Sequence, residues 1–210
     1  YFDVVAYSGT GSARTVSHNL GAAPEMIWVK SRETVLNATD WWVFHKNLST
    51  PADDSLRINS NGAENTGNGA LLWNSTMPTS SVFSLGTYTS VNQSGKNFIA
   101  YLFATVPNVS CVGSYSGNGS SQTIDCGFSS GARFVLIKRT DASGDWWIFD
   151  TVRGIVTGND SYLALNSTIA ENAYGAGDNI DPNSTGFTIN QEYLTQANAS
   201  GGSYLFYAIA

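Results

Sequence analysis

Charge is what this sequence has least of. Asp, Glu, Lys and Arg together make up 12% of the 210 residues, about half the share of an ordinary globular chain. Ten basic residues face sixteen acidic ones, and the formal net charge is -6. That balance argues against nucleic acid as a partner, because phosphate binding needs a basic stripe or patch. The basic residues are scattered apart from Lys30-Ser31-Arg32 and Lys138-Arg139. Both clusters end apolar runs, where a solvated sheet edge is expected. No apolar run is long enough for a membrane-spanning helix, so membrane insertion is not expected. No secretory leader pattern is present, and the chain opens on Tyr1 rather than Met, as expected of a processed chain or a fragment. Histidine is nearly absent, with only His18 and His45, and no zinc-ligand spacing occurs. Gly9-x-Gly11 and Gly117-x-Gly119 precede no helical pattern, so they read as hairpin turns rather than phosphate loops. Asp53-Asp54 and Asp178 with Asp181 could hold calcium in a loop, but neither has the EF-hand pattern. No cofactor and no metal are expected.

What fills the gap is Asn, Ser, Thr and Gly, around an apolar fraction of 42% that can build a core. The second abundant feature is repetition. Ala6-Tyr7-Ser8-Gly9-Thr10-Gly11-Ser12 returns as Ser114-Tyr115-Ser116-Gly117-Asn118-Gly119-Ser120. Met26-Ile27-Trp28-Val29-Lys30 returns as Phe134-Val135-Leu136-Ile137-Lys138, and Asp40-Trp41-Trp42-Val43-Phe44 as Asp145-Trp146-Trp147-Ile148-Phe149. Val82-Phe83-Ser84 resembles Gly186-Phe187-Thr188. Asn92-Gln93-Ser94-Gly95 and the following Phe98 to Ala104 return as Asn198-Ala199-Ser200-Gly201 and Tyr204 to Ala210. The length differences between copies fall between apolar runs, as loops allow. With the boundary near Pro107-Asn108, the modules span 1–107 and 108–210.

Each copy reads as strands. Its apolar runs are short, rich in Val, Ile, Phe, Trp and Tyr, and bounded by Gly, Asn, Ser and Thr. A helical period is hard to find; Thr168 to Tyr174 offers one or two turns at most. The runs at Met26–Lys30 and Phe134–Lys138 are apolar almost throughout and are expected to be buried on both faces. The predicted fold is all-β, with two tandem homologous β-sandwich or jelly-roll-like modules.

The only cysteines, Cys111 and Cys126, flank the second copy's Gly117-Asn118-Gly119-Ser120. A two-residue turn at Asn118-Gly119, counted back along both strands, sets the two cysteines opposite each other, within disulfide reach. A cross-strand disulfide is predicted, which suits exposure outside a reducing cytosol. Two buried thiols are the rival reading. The first copy has Asp3 and His18 at these positions, so the module does not require the bridge.

Aromatic residues are the best binding candidates. Adjacent strand residues face opposite ways, so Trp41-Trp42 and Trp146-Trp147 each send one ring to the core and one outward. Trp41 and Trp146 are taken as the outward members. A flat indole flanked by Asn, Ser and Asp suits the C–H face and hydroxyls of a sugar. The reading given more weight is that both rings pack, one against the other sheet and the second under a loop or at the copy–copy interface. Trp73 has no partner in the second copy and is a separate candidate, as are Tyr88 and Tyr193 in matching loops. Asp40 and Asp145, beside the Trp pairs, read as turn residues, and the other acidic positions mostly do not repeat. No catalytic residue is assigned and an enzyme is not expected, although a carboxylate pair for glycan cleavage is open as a minor alternative. Ten N-x-S/T sequons occur, among them Asn37, Asn92, Asn118 and Asn198, a number to which an Asn, Ser and Thr-rich composition itself contributes.

The string Val16-Ser17-His18-Asn19-Leu20-Gly21-Ala22-Ala23-Pro24-Glu25-Met26-Ile27-Trp28-Val29-Lys30-Ser31-Arg32, with Trp42-Val43-Phe44-His45 after it, resembles a module of phage virion proteins, especially those of marine and cyanobacterial phages. The second copy carries it in Cys126-Gly127-Phe128, Val135 to Asp141, Trp147 to Gly154 and Gly186-Phe187. It departs at Ala132, where the first copy has the usual proline, Pro24. The resemblance covers nearly the whole chain and is structural, so no catalytic residue carries over. It implies a lectin-like sandwich in a tail fibre or other virion appendage, adhesive or structural, located on the virion surface or otherwise extracellular. The expected partners are other virion proteins, further copies of the chain in a homo-oligomer, and a host-surface glycan. A capsid decoration or fibre-building subunit without a ligand fits the same residues.

Overall fold

Alternation fixes which side of each strand is buried. In Phe98 to Phe103, the side chains of Phe98, Ala100 and Leu102 enter a core, while Ile99, Tyr101 and Phe103 take the other face. The computed structural model describes residues 1–36, 40–171, 177–190 and 195–210. These residues form two units, one of Tyr1–Asn59 with Glu64–Ala104 and one of Ser60–Ala63 with Thr105–Ala210. Each unit is an antiparallel β-sandwich.

In the first unit the elements are β1 (Phe2–Ser8), β2 (Arg14–Ser17), β3 (Met26–Ser31), β4 (Trp42–His45), β5 (Leu56–Arg57), α1 (Gly69–Leu72), β6 (Val82–Leu85), α2 (Thr89–Asn92) and β7 (Asn97–Phe103). One sheet has the order β1-β7-β3-β4-β5, and β2 pairs with β6 in a second. The core lies between them and includes Ile27, Val29, Phe44, Phe83, Leu85 and Phe98. The second unit has β8 (Ser110–Ser116), β9 (Gln122–Asp125), β10 (Phe134–Arg139), β11 (Trp146–Asp150), β12 (Leu163–Ala164), β13 (Ile180–Asn183), β14 (Gly186–Ile189), α3 (Thr195–Asn198) and β15 (Ser203–Ile209). Its sheets are β12-β11-β10-β15-β8 and β13-β14-β9, around a core that includes Val135, Ile137, Phe149, Phe187 and Phe206. The nearly continuous apolar runs became β3 and β10, each paired on both edges. The helical candidate at Thr168–Tyr174 is not helical as far as Glu171, and its remainder lies outside the described residues.

The repeated Tyr-Ser-Gly-x-Gly-Ser motif does not form a hairpin. β1 and β2 pair in different sheets, as do β8 and β9. A buried asparagine holds the crossing open. Asn92 Oδ1 accepts the Thr10 N–H (2.9 Å), and Asn92 Nδ2 donates to Ser12 O (2.8 Å) and Gly86 O (2.7 Å). In the second unit Asn198 Oδ1 accepts from Asn118 N–H (3.1 Å) and Gln122 Nε2 (2.7 Å), and its Nδ2 donates to Ser120 O (2.6 Å). The motif's tyrosines reach the same corner, Tyr7 donating its hydroxyl to Val91 O and Tyr115 to Ala197 O. Burial pushes the Tyr7 phenol above its ordinary range. Its first glycine is required by close approach: a Cβ on Gly9 would lie 2.3 Å from Gln93 O, and one on Gly117 2.1 Å from Ala199 O.

Both asparagines are fully buried, so removing either carboxamide strands several backbone groups away from water. Asn92→Ala and Asn198→Ala are each expected to lower the unfolding free energy of the unit concerned by about 2–4 kcal/mol. The exposed Asn47→Ala is expected to change it by less than about 0.5 kcal/mol. Urea denaturation followed by tryptophan fluorescence measures all three.

Candidate functional site

The two Trp pairs are placed by one local device. Asn59 accepts the Trp41 N–H at its Oδ1 (3.0 Å) and donates from Nδ2 to Asp40 (2.8 Å). Asn166 does the same for the Trp146 N–H (2.8 Å) and Asp145 (2.7 Å). Asp40 and Asp145 therefore orient the asparagine that fixes the start of the Trp strand. Beyond this point the strand alternates, sending Trp42 and Trp147 into their cores and Trp41 and Trp146 to the opposite faces.

Trp41 is half-buried on the outward face of the first unit's larger sheet. Its ring stacks on Tyr101 (6.1 Å, 23°), and Lys30 Nζ lies 5.7 Å from its centroid. Tyr101 stacks in turn with Phe2 (6.4 Å, 21°). Val4, Tyr101 and Trp28 form one cross-strand row through β1, β7 and β3. Phe2 and Val4 are 45% and 44% exposed. The result is an aromatic strip on a rigid sheet, topped by one cation. Phe2 and Tyr101 were not among the sequence candidates. Their signal is the strand parity that sends Phe98, Ala100 and Leu102 inward, since it necessarily sends Tyr101 out.

A second aromatic site lies at the edge of the first core. Trp42 meets Tyr88 edge to face (5.6 Å, 88°), and the two line a pocket of about 130 Å³ with Asn68, Leu71 and Leu72. Tyr88 is half-exposed there. Arg57 sits 5.7 Å over the Trp42 ring and is paired to Asp40 (3.3 Å). Tyr193, the matching candidate of the second copy, lies outside the described residues.

Two candidates are not surface groups. Trp73 is buried in the core, edge to face with Phe44 (6.1 Å), and its Nε1 donates to Asp54 O (3.1 Å). It closes α1, which occupies the interval of chain where the second unit has β13. The two-stranded sheet of the first unit needs that plug, which is why Trp73 has no counterpart. Trp146 is 2% exposed, opposite the equally buried Lys138 on its neighbouring strand, so its ring sits in a covered stretch of sheet. Lys138 is itself no solvated edge residue. It donates to Gly144 O (2.7 Å) and Asn61 O (3.3 Å), and burial pulls its ammonium down to about 8.

The predicted disulfide is not formed. Cys111 and Cys126 are thiols, and the hairpin register that paired them does not exist. Cys111 lies opposite Ala208 in the larger sheet, while Cys126 follows β9 in the other. They meet across the core instead, Cys111 packing against the cluster that contains Cys126. A hydrogen bond with Cys111 and burial both push the Cys126 thiol above the usual thiol range.

Both histidines take part in hydrogen bonds within the fold. His18 Nδ1 accepts from Leu20 N (3.2 Å) with Nε2 against Thr79 O (3.1 Å), and His45 Nδ1 accepts from Asn47 N (3.1 Å). Asp54 is used on Thr50 N and Gly67 N. Asn190 Nδ2 bridges Asp178 and Asp181. Among the described residues no group of three or more His, Cys, Asp or Glu could hold a metal ion. The sequons at Asn92 and Asn198 are buried in the turn clamps, and that at Asn37 lies outside the described residues.

The protein thus belongs to the class of all-β chains built from a duplicated sandwich, with aromatic side chains as its candidate binding groups. The family described as a domain of unknown function (DUF7483) matches the chain over residues 1–210, and the chain belongs to that family. The match spans both copies. No curated protein and no solved structure matches the chain.

The cysteine arrangement makes a chemical prediction. Alkylation under denaturing, non-reducing conditions is expected to label both thiols, as read by intact mass. Under native conditions the buried, raised Cys126 is expected to react far more slowly than a free thiol. Resistance of both to labelling until a reductant is added would show a disulfide instead.

Proposed function

We propose that this chain is a virion surface structural protein, a tail-fibre or appendage domain, whose first sandwich contacts host-surface glycans. The observation that carries the reading is the strip formed by Trp41, Tyr101 and Phe2 on the outward sheet face. Aromatic faces with a cation above one ring suit the C–H faces and hydroxyls of sugars. Phe2 and Tyr101 sit on β1 and β7, and Trp41 immediately precedes β4, so little ordering entropy opposes binding. The weakly charged surface supports the same reading, because affinity then rests on stacking and hydrogen bonds rather than on long-range attraction. The resemblance to phage virion modules supplies the setting. No nucleic acid and no membrane enter the proposal. Other virion proteins and further copies of the chain are its proposed structural partners.

A fibre-building subunit without a ligand is the second reading. It draws on β1, an edge strand of its sheet that carries the exposed Phe2 and Val4.

A glycan array with the wild-type chain and the Trp41→Ala and Tyr101→Ala variants tests the proposal. Binding by the wild type and a loss of about tenfold or more in each variant is expected, given the share that central aromatic side chains hold in binding energy. An array blank for the wild type would contradict it. Sedimentation showing self-association abolished by Phe2→Ser and Val4→Ser would then favour the fibre-building reading.

A further inference from the structure

One place in the second unit carries a charge that the duplicated frame leaves without a counter-charge. Arg133 stands where the first copy has Glu25, and Thr151 where it has Lys46. Backbone bonds hold the two positions in the same way in both units. In the first, the Glu25 N–H donates to Phe103 O (2.8 Å) and the Lys46 N–H to Glu25 O (2.8 Å). In the second, the Arg133 N–H donates to Ile209 O (2.7 Å) and the Thr151 N–H to Arg133 O (3.0 Å). The first unit closes this place with an ion pair, Lys46 Nζ to Glu25 Oε1 (2.8 Å). The second has a guanidinium beside a hydroxyl, and Arg133 makes no ion pair among the described residues. The carboxylates next to Thr151 and Pro182 in the chain are committed elsewhere: Arg153 pairs with Asp150, and Asn190 Nδ2 donates to Asp181 Oδ2 (2.9 Å).

Beside this position the surface is hollow. A cavity of about 220 Å³ is lined by Arg133 and Thr151 together with Ser130, Ile155, Pro182 and Ser184. It is below the roughly 300–1,000 Å³ of a drug-sized site, so it takes one small ring rather than an extended ligand. Arg133 is the one charged group among the described residues that line it. Its Nε donates to Ala210 O (2.6 Å). That bond fixes the guanidinium plane and leaves Nη1 and Nη2, side by side, without a partner among the described residues. Two parallel N–H donors match the two oxygens of one carboxylate. The side-chain hydroxyls of Ser130, Thr151 and Ser184 also have no partner among the described residues. Pro182 and the buried Ile155 add apolar walls.

A neutral sugar would leave the guanidinium unused, and a bare carboxylate would leave the hydroxyls unused. A sugar ring that carries one carboxylate engages both. We propose that this cavity binds an acidic sugar of the uronic acid class. The carboxylate accepts from Arg133 Nη1 and Nη2 and supplies the counter-charge that Glu25 supplies to Lys46 in the first unit. The ring hydroxyls exchange hydrogen bonds with Ser130, Thr151 and Ser184, and the C–H face of the ring lies on Pro182 and Ile155. Arg133 is exposed, so the fold does not depend on the site being filled. The site lies wholly in the second unit and uses none of Trp41, Tyr101 or Phe2. It therefore stands whether or not the aromatic strip of the first unit binds glycan.

NMR of the full 15N-labelled chain tests the site through the Arg133 Nε–H signal, assigned by its loss in Arg133→Gln, and the backbone amides of Thr151 and Ser184. Methyl glucuronoside is expected to shift these signals to saturation. Methyl glucoside and acetate are each expected to act at least about tenfold more weakly. Arg133→Gln is expected to weaken the amide response about tenfold or more, with the rest of the spectrum unchanged. The double variant Arg133→Glu with Thr151→Lys, which rebuilds the ion pair of the first unit, is expected to keep the fold and abolish the response. Trp41→Ala is expected to leave the titration as it is. An equal response to the glucoside would show that no carboxylate is needed, and an equal response to acetate would show an anion site without sugar recognition. Either would overturn the proposal. So would no response to the glucuronoside up to its solubility limit, an unchanged titration in the two Arg133 variants, or its loss in Trp41→Ala.

Discussion

In each sandwich one buried carboxamide, that of Asn92 or Asn198, ties together three pieces of chain that would otherwise have no reason to meet. It takes up a backbone N–H and a carbonyl from the Gly-x-Gly-Ser loop, and a carbonyl next to the last strand of the smaller sheet. Backbone bonds add to it, with Gly11 N–H on Asn92 O and Gly119 N–H on Asn198 O. Left to local preference, Gly-Asn-Gly-Ser would close a hairpin. With its donors committed to the asparagine, the loop crosses from one sheet to the other. The two-layered core, and with it every outward face, depends on that crossing.

Around this shared frame the copies diverge in what covers the core and in what reaches the surface. The first unit plugs its smaller sheet with α1 and Trp73, the second with β13 and Ile180. The shared Asp-Asn-Trp corner puts Trp42 and Trp147 in equivalent places, yet Trp41 is half-buried while Trp146 is covered. The aromatic candidates therefore concentrate in the first unit among the described residues. Duplication has preserved the strands and turn clamps and left the surface free to differ.

The repeat made the fold legible, because strand-length apolar runs and their parity are properties of local sequence. The same parity puts Trp42 and Trp147 into their cores, but it also set Trp146 outward, where the ring is covered. What failed was every inference that assumed a turn motif acts alone. Asn118-Gly119 predicted a hairpin and hence a cysteine pair in register, but the deciding partner, Asn198, lies 80 residues away. Solvent exposure failed for a related reason. Trp73 looked variable and so available, and Lys138 looked like an edge cation, but coverage by distant chain is not written in neighbouring residues. The Trp42 pocket was half visible through Tyr88. Its other walls, Leu71 and Leu72, carry no signal until the fold brings α1 beside β4.

Amide hydrogen exchange at the crossing loops tests the central claim most directly. Thr10 and Gly11 in the first unit, and Asn118 and Gly119 in the second, donate their N–H groups to Asn92 and Asn198. Although Thr10 and Asn118 have exposed side chains, these four amides are predicted to exchange as slowly as those of β7 and β15, through opening of the whole unit. Rapid exchange at the loops while the central strands stay protected would contradict the clamp and restore the simple hairpin turn in its place.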